Sequence, residues 1–384
     1  MIPIIKPCMG DEEVQAAARS IRSGWVTQGP EVRGFEEEFG RYTGAPFACA
    51  VSNCTTALHL ALRAADVGPG DEVLTVSHTF IATANSIRYL NAVPVFVDIE
   101  AGTYNLNPDL LEEALSSKTR AILCVHQMGM PCDLRKILPF AKKNNLPVIE
   151  DAACAIGSQA DYGSGLQTIG HPASDAACFS FHPRKIITTG DGGMITTRHQ
   201  DWDAKFRMWR HNGMGISDEA RHKAAQVIFE SYPEFGYNYR MTDIQAAVGR
   251  EQLKRLPAIV AERRVLAGKY QALLKEQVPQ IILTEEPSWI RTNWQSFVIR
   301  LPQKADQRSV MQFMLDQGVS TRRGIMCIHR EASYQAPGNY RAAGTLTESE
   351  AAQDHCIILP LYPQMTEDDQ RRVVSALGGA LKNI

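Results

Sequence analysis

Apolar residues in the first two thirds of the chain fall into short runs, separated by longer stretches of helical period. The runs predict strands at residues 47–51, 72–76, 93–97, 121–125, 148–150, 177–180 and 193–196. Several are apolar at every position, as in strands covered on both faces. Residues 55–65 and 108–116 lie between strands and carry apolar positions at helical spacing. Strand–helix alternation of this kind predicts an α/β fold with a mostly parallel sheet. The pattern changes beyond residue 240: a long helical segment spans residues 242–274, with Pro257 expected to interrupt it. Its second half reads as a bridge to a smaller α/β unit, with a strand at 295–301 and helices at 309–317 and 367–377. The expected division is a large domain over 1–255 and a small one over 256–384, with the N-terminal segment free to pack elsewhere.

Composition narrows the function classes. In 384 residues, a net charge of -2 and the lack of Lys/Arg-rich runs speak against a nucleic-acid or membrane-surface partner. Residues 1–7 lack the apolar run of a signal peptide and no stretch is long enough to span a bilayer, so the cytoplasm is the expected compartment. Nine cysteines without a C-x-x-C give no expectation of a disulfide framework or of a zinc or iron–sulfur site. The strand–helix turns carry neither the G-x-G-x-x-G of nicotinamide enzymes nor the phosphate loop of nucleotide triphosphatases, and H-E-x-x-H is absent.

Three strand ends hold candidate chemistry. The strand at 148–150 leads into Asp151-Ala152-Ala153-Cys154. Asp151 could be a metal ligand, a helix cap or the partner of a cationic ring nitrogen, and taken alone it reads first as a helix cap. The strand at 177–180 ends in Ser180 and runs on through His182-Pro183-Arg184-Lys185 toward a glycine-rich turn. Alone, Lys185 is a solvated charge; an Asp, a Ser and a Lys in this order at strand ends is the informative feature. The strand at 47–51 leads through Ser52-Asn53 into Cys54-Thr55 at a helix start, where free amides and hydroxyls suit an anion, or simply cap the helix. Phe80 follows the strand at 72–76 and reads either as core or as a ring to stack on a ligand.

Together these segments resemble the DegT/DnrJ/StrS aminotransferases, the sugar aminotransferase family of the aspartate aminotransferase fold. The likeness runs nearly end to end: S-G-W-V-T-Q-G-P from Ser23, S-N-C-T-T-A-L-H-L-A-L from Ser52, V-H-Q-M-G from Val125, E-D-A-A-C-A from Glu150, F-S-F-H-P-R-K from Phe179, G-Y-N-Y-R-M-T-D from Gly236 and L-P-L-Y-P from Leu359. It implies a pyridoxal 5′-phosphate enzyme that moves an amino group, usually from glutamate, to a nucleotide-linked keto-deoxy sugar. Such a cofactor needs an amine, a carboxylate for its ring nitrogen, and hydroxyls and amides for its phosphate. The resemblance gives these roles to Lys185, Asp151, and Ser180 with Cys54 and Thr55, with Phe80 stacking on the ring. Asn238 would reach the phosphate from a second copy, which implies a homodimer with shared sites. Burial and a neighbouring positive charge, Arg184 being adjacent, are expected to favour neutral Lys185. Two positions depart from the family: Cys54 stands where glycine is frequent, and Cys154 where a polar residue often meets the ring hydroxyl, with His126 as a possible replacement. Trp25, Thr27, Arg322, Arg323 and His329 are substrate candidates, the arginines reading equally well as solvated surface. The alternatives are a dehydratase of the same fold, which the presence of Lys185 disfavours, and a non-catalytic sugar or cofactor sensor.

Overall fold

The structure, a computed structural model, describes residues 1–216, 221 and 225–382. Seven strands build the main sheet: β1 (Phe47–Val51), β2 (Glu72–Val76), β3 (Val93–Val97), β4 (Thr119–Val125), β5 (Val148–Asp151), β6 (Ala176–Ser180) and β7 (Gly193–Thr197). Their spatial order is β1-β7-β6-β5-β4-β2-β3, parallel throughout except that β7 runs against both its neighbours. The all-apolar runs have the predicted cause, because the sheet is covered on both sides. Alternate residues of one strand enter different cores, as the period of two requires. Ala48, Ala177, Phe179 and Met194 face helix α2 (Pro30–Thr43) and the long helix α7 (Asp243–Gln277). Cys49, Cys178 and Ile195 face α3 (Cys54–Ala64) and α6 (Gln200–Trp209). Helix α5 (Leu134–Lys143) buries Leu134 and Ile137 in a core that it shares with Val95, Val97, Ile122 and Cys124.

Helix α7 runs for 35 residues without the expected break. Pro257 withdraws one amide from the ladder, a cost of ~3 kcal/mol. Leu253, Leu256, Ile259 and Val260 around it are all buried, and their packing outweighs that loss. The helix expected at 108–116 shrinks to a tight turn, Pro108–Leu110, and a single turn, Leu111–Ala114. Only Leu111 and Ala114 of that helical turn reach the core, too short a stripe to hold a longer helix.

Past α7 a smaller antiparallel sheet forms from β8 (Phe297–Arg300) and β9 (Cys356–Leu359), edged by Ile282–Leu283 and Arg322–Arg323. Helices α8 (Gln307–Asp316) and α10 (Glu367–Lys382) pack on it around Tyr270, Phe297, Met314 and Leu377. Two segments cross between the sheets. Ile2 is buried in the smaller core and its amide donates to the Gly318 carbonyl at 2.8 Å. Arg341–Ala342 adds an eighth, parallel strand beyond β3, opposite Val95 and Phe96. Among the described residues no helix is long and apolar enough to cross a membrane.

Candidate active site

Parallel strands present their C-terminal ends at one edge of a sheet, so the turns after β1, β2, β4, β5 and β6 converge there. β7, running the other way, begins at that edge with Gly193 opposite both Val51 and Ser180. A side-chain carbon on Gly193 would lie 2.5 Å from the carbonyl carbon of Asn53 and 2.8 Å from the Cys54 amide nitrogen. Glycine therefore lets the turn into α3 lie directly on the strand. Asn53 caps that helix, its Oδ1 accepting from the Thr56 amide at 2.9 Å. The Cys54 and Thr55 amides in the first turn have no intrahelical partner and sit at the positive end of the helix. Cys54 is the first helical residue and has no positive φ, so nothing in the backbone demands glycine at this departure from the family pattern. Burial pushes its thiol well above the ordinary range, with Asp151 adding to the effect.

Lys185 follows a bend closed by its own amide on the His182 carbonyl at 2.8 Å. Its Nζ lies 3.1 Å from Cys154 Sγ. Burial acts to lower the amine, but Cys154, Cys54 and Asp151 together outweigh burial and hold it above the ordinary lysine value. The expected lowering is thus reversed. Arg184 does not supply the positive charge expected of it: it lines a separate cavity with Arg322. Asp151 ends β5 and is buried, 5% exposed. Its Oδ2 accepts from Thr83 Oγ1 at 2.8 Å and its Oδ1 from the Ala153 amide at 3.2 Å. Burial raises the carboxyl, and these two donors, then Lys185 and His126, oppose the rise. Thr83 lies in α4 (Ala82–Arg88), and its amide donates to the Phe80 carbonyl at 3.1 Å. Phe80 is 67% exposed, so it is no core residue and its ring is open to a ligand.

His126 is not free to act in place of the polar residue that the family often has at position 154. Its Nδ1 accepts the Cys132 amide at 2.9 Å, which leaves Nε2 to donate to Glu150 at 2.6 Å. This buried pair braces the ends of β4 and β5 behind Asp151. Asn293, from the segment joining the two sheets, donates from Nδ2 to the carbonyls of Cys154 and Ile156, both at 2.8 Å. Gly129, at φ +97°, makes room for it: a side-chain carbon there would fall 2.1 Å from Asn293 Oδ1. Sequence reasoning missed Thr83 and Asn293, which sit in A-T-A-N and T-N-W with no spacing or charge to mark them.

Ser180 is buried at the end of β6, and its Oγ accepts the His182 amide at 3.4 Å. Asn238 is exposed; the adjacent Tyr239 carbonyl accepts the Ser52 amide at 2.8 Å, which lays this segment beside the turn into α3. His329, Arg323, Trp25 and Thr27 are engaged within the chain. Both ring nitrogens of His329 are taken, Nδ1 by Ser77 Oγ at 2.7 Å and Nε2 by Glu350 at 2.9 Å, so His329 holds its loop in place and has no nitrogen free for a substrate. Arg323 pairs with Glu331 at 3.4 Å. The Trp25 indole donates to the Gln28 carbonyl at 3.1 Å, and the exposed Thr27 accepts the Asp243 amide on its carbonyl at 3.1 Å.

An amine, a buried carboxylate, a helix start with a hydroxyl opposite it, and an exposed aromatic ring therefore share one edge of the sheet. That donor set fits pyridoxal phosphate at its aldehyde, ring nitrogen, phosphate and ring face. Among the described residues, no group of three or more His, Cys, Asp or Glu is placed to hold a metal ion. A model of the DegT/DnrJ/EryC1/StrS aminotransferase family matches residues 7–378. The spore coat polysaccharide biosynthesis protein SpsC of Bacillus subtilis is 36% identical over 385 residues, 99% of this chain and 97% of that protein. The aminotransferase TlmJ from Streptoalloteichus hindustanus superposes with a TM-score of 0.89 at 30% identity, over 100% of this chain and 99% of its own. A Streptococcus pneumoniae structure in a PLP-form does so with a TM-score of 0.88 at 25% identity, over 100% and 98%. The chain belongs to the DegT/DnrJ/EryC1/StrS aminotransferase family, as a pyridoxal 5′-phosphate-dependent enzyme of the aspartate aminotransferase fold.

Proposed function

We propose that the protein transfers an amino group from glutamate to a nucleotide-linked keto-deoxy sugar, as a homodimer with shared active sites. The observation that carries the reading is the meeting of Lys185, Cys154, Cys54 and Asp151 at the C-terminal edge of the strands, with Nζ 3.1 Å from Cys154 Sγ. What bound pyridoxal phosphate supplies is a carrier for the amino group and a sink for the electron pair left when a Cα proton departs. Lys185 Nζ would hold the cofactor and would move that proton. Asp151, held by Thr83 and Ala153, keeps a positive charge on the ring nitrogen. Phe80 covers one ring face. Ser180, the Cys54–Thr55 helix start and Asn238 of a second copy hold the phosphate. Cys154, beside Nζ, stands at the position where the family often has the partner of the ring hydroxyl. The division of labour is a large cofactor-binding unit, residues 1–255, and a small unit, residues 256–384.

The test is the absorbance spectrum of the purified protein with and without glutamate, using Lys185→Ala as control. A visible cofactor band that glutamate bleaches, and that the variant lacks, is the expected result. Turnover in the variant should fall on the order of 10³-fold, as for loss of an acid–base group. A band indifferent to glutamate points to another donor or to dehydration. No band even with added pyridoxal phosphate would sink the enzymatic roles given to these residues and leave a sensor.

A further inference from the structure

Lys185 Nζ and Cys154 Sγ stand 3.1 Å apart, and among the described residues this is the one hydrogen bond between a lysine and a cysteine. Both partners are held by their backbones. The Lys185 amide closes on the His182 carbonyl at 2.8 Å, and the Cys154 carbonyl accepts Asn293 Nδ2 at 2.8 Å. Of the nine free cysteines seven are buried, and Cys154 is one of the two that are partly exposed. Cys54, the other sulfur near the amine, is buried, and its Sγ donates to the Cys178 carbonyl at 3.5 Å. A small oxidant therefore reaches Cys154 first. A cationic donor beside a partly exposed sulfur is the setting in which cysteines react with peroxides.

We propose that Cys154 and Lys185 form a redox modification site, at which a hydroperoxide joins Sγ to Nζ through a sulfur–nitrogen bond. In the first step the sulfur takes one oxygen from hydrogen peroxide and becomes a sulfenic acid, and the rest of the peroxide leaves as water. In the second step the Nζ lone pair attacks Sγ and the S–O bond breaks. The hydroxyl leaves with an amine proton as a second water. The pair has lost two electrons, and the peroxide has gained them. The first step prepares the second. Burial acts to lower the Lys185 amine, and Cys154 heads the groups that oppose it. A neutral sulfenic acid ends that opposition and leaves Cys54 and Asp151 against burial, which moves Nζ toward the uncharged form that can attack. Two thiol molecules reverse the link, restoring the amine and the cysteine and leaving as a disulfide. The link and pyridoxal phosphate compete for one nitrogen, a consequence that rests on the reading of Lys185 given above. A linked chain takes up no cofactor, and a loaded chain does not link.

The experiment treats the full chain with hydrogen peroxide, before and after loading with pyridoxal phosphate, and reads the intact mass and the proteolytic peptides. The unloaded parent is expected to become lighter by two hydrogen atoms, with the Cys154 and Lys185 peptides joined, and dithiothreitol should undo both changes. Cys154→Ser and Lys185→Arg should form no link, and Cys54→Ser should form it like the parent. Cofactor uptake by the linked protein, read from the visible band, should fall at least tenfold and return with dithiothreitol. Peptides that stay separate, a Cys154 that only gains oxygen, or a link that persists in Cys154→Ser would overturn the proposal, and normal loading beside such a result would leave Lys185 as the cofactor's amine. A link that loaded and unloaded protein form equally well would leave the modification standing and remove that role from Lys185.

Discussion

Asp151 is a carboxylate placed where burial disfavours its charge, a pressure that two donors and the Lys185 amine oppose. Asp151→Asn retains a group that can accept from Thr83 but removes the charge. It should lower turnover on the order of 10²-fold or more, as for other lost electrostatic partners of a developing charge, and weaken cofactor retention on dialysis. An equal rate in the variant would contradict the role given to Asp151. His78 shows a second cost of burial. It is 1% exposed, and among the described residues neither ring nitrogen has a hydrogen-bond partner. Burial drops its pKa to about 3, Asp98 resisting only in part. The unfolded chain, near 6.5, therefore binds the proton first as pH falls. His78 thus favours the folded state fully above about 6.5, and that contribution is lost between 6.5 and about 3. The slope is ~1.4 kcal/mol per pH unit in the interior of that window. His78→Leu should flatten the pH dependence of urea stability between pH 6 and 4.5 by about one proton's worth; an unchanged slope would show that His78 is charged or hydrated in the fold.

At the scale of elements, Asp243 ties the start of one helix to another. It opens α7, and its carboxylate accepts the amides of Gly29, Glu31 and Val32 at 2.7, 3.1 and 3.0 Å, capping α2 from outside. Asp243→Ala leaves three amides of a partly buried helix start without acceptors. A loss of about 2–4 kcal/mol is expected in denaturant unfolding, more than one missing local cap would give. Sequence patterning served best where one local rule acts alone. The seven strands expected in the first two thirds of the chain recur within two residues, since short runs rich in apolar residues between turns admit few other structures. It served worst where tertiary packing overrules propensity, as at Pro257, an exposed position in a helix that its buried neighbours Leu256 and Ile259 hold, and at 108–116, whose apolar stripe finds too little core. The site followed the same division. Lys185, Asp151 and Ser180 stand at strand ends and are legible from position and chemistry together. Thr83 and Asn293 act through contacts spanning 68 and 139 residues, which no local pattern encodes. The direction of the Lys185 shift is not legible either, because it depends on Cys154 and Cys54, brought to the amine by folding.

The whole molecule carries the dimer question. Asn238 is exposed, beside the turn into α3, and its proposed role requires a second copy. Lys185→Ala and Asn238→Ala homodimers should each be impaired. Unfolded and refolded together, they should recover activity, because one site in each mixed dimer would then carry neither change. Recovery no greater than the sum of the parents would place both residues in the same subunit's site. The eighth strand of the main sheet bears on a different kind of experiment. Arg341–Ala342 arrives from late in the chain, covers the backbone edge of β3, and sends the Arg341 guanidinium to Glu72 at 2.8 Å. A fragment ending near residue 255 would lose that cover and present the edge of the apolar run Val93–Val97 to solvent. Such a fragment should associate through that edge instead of folding as a lone cofactor-binding unit, so the two lobes are separable on a map of the chain but not at the bench.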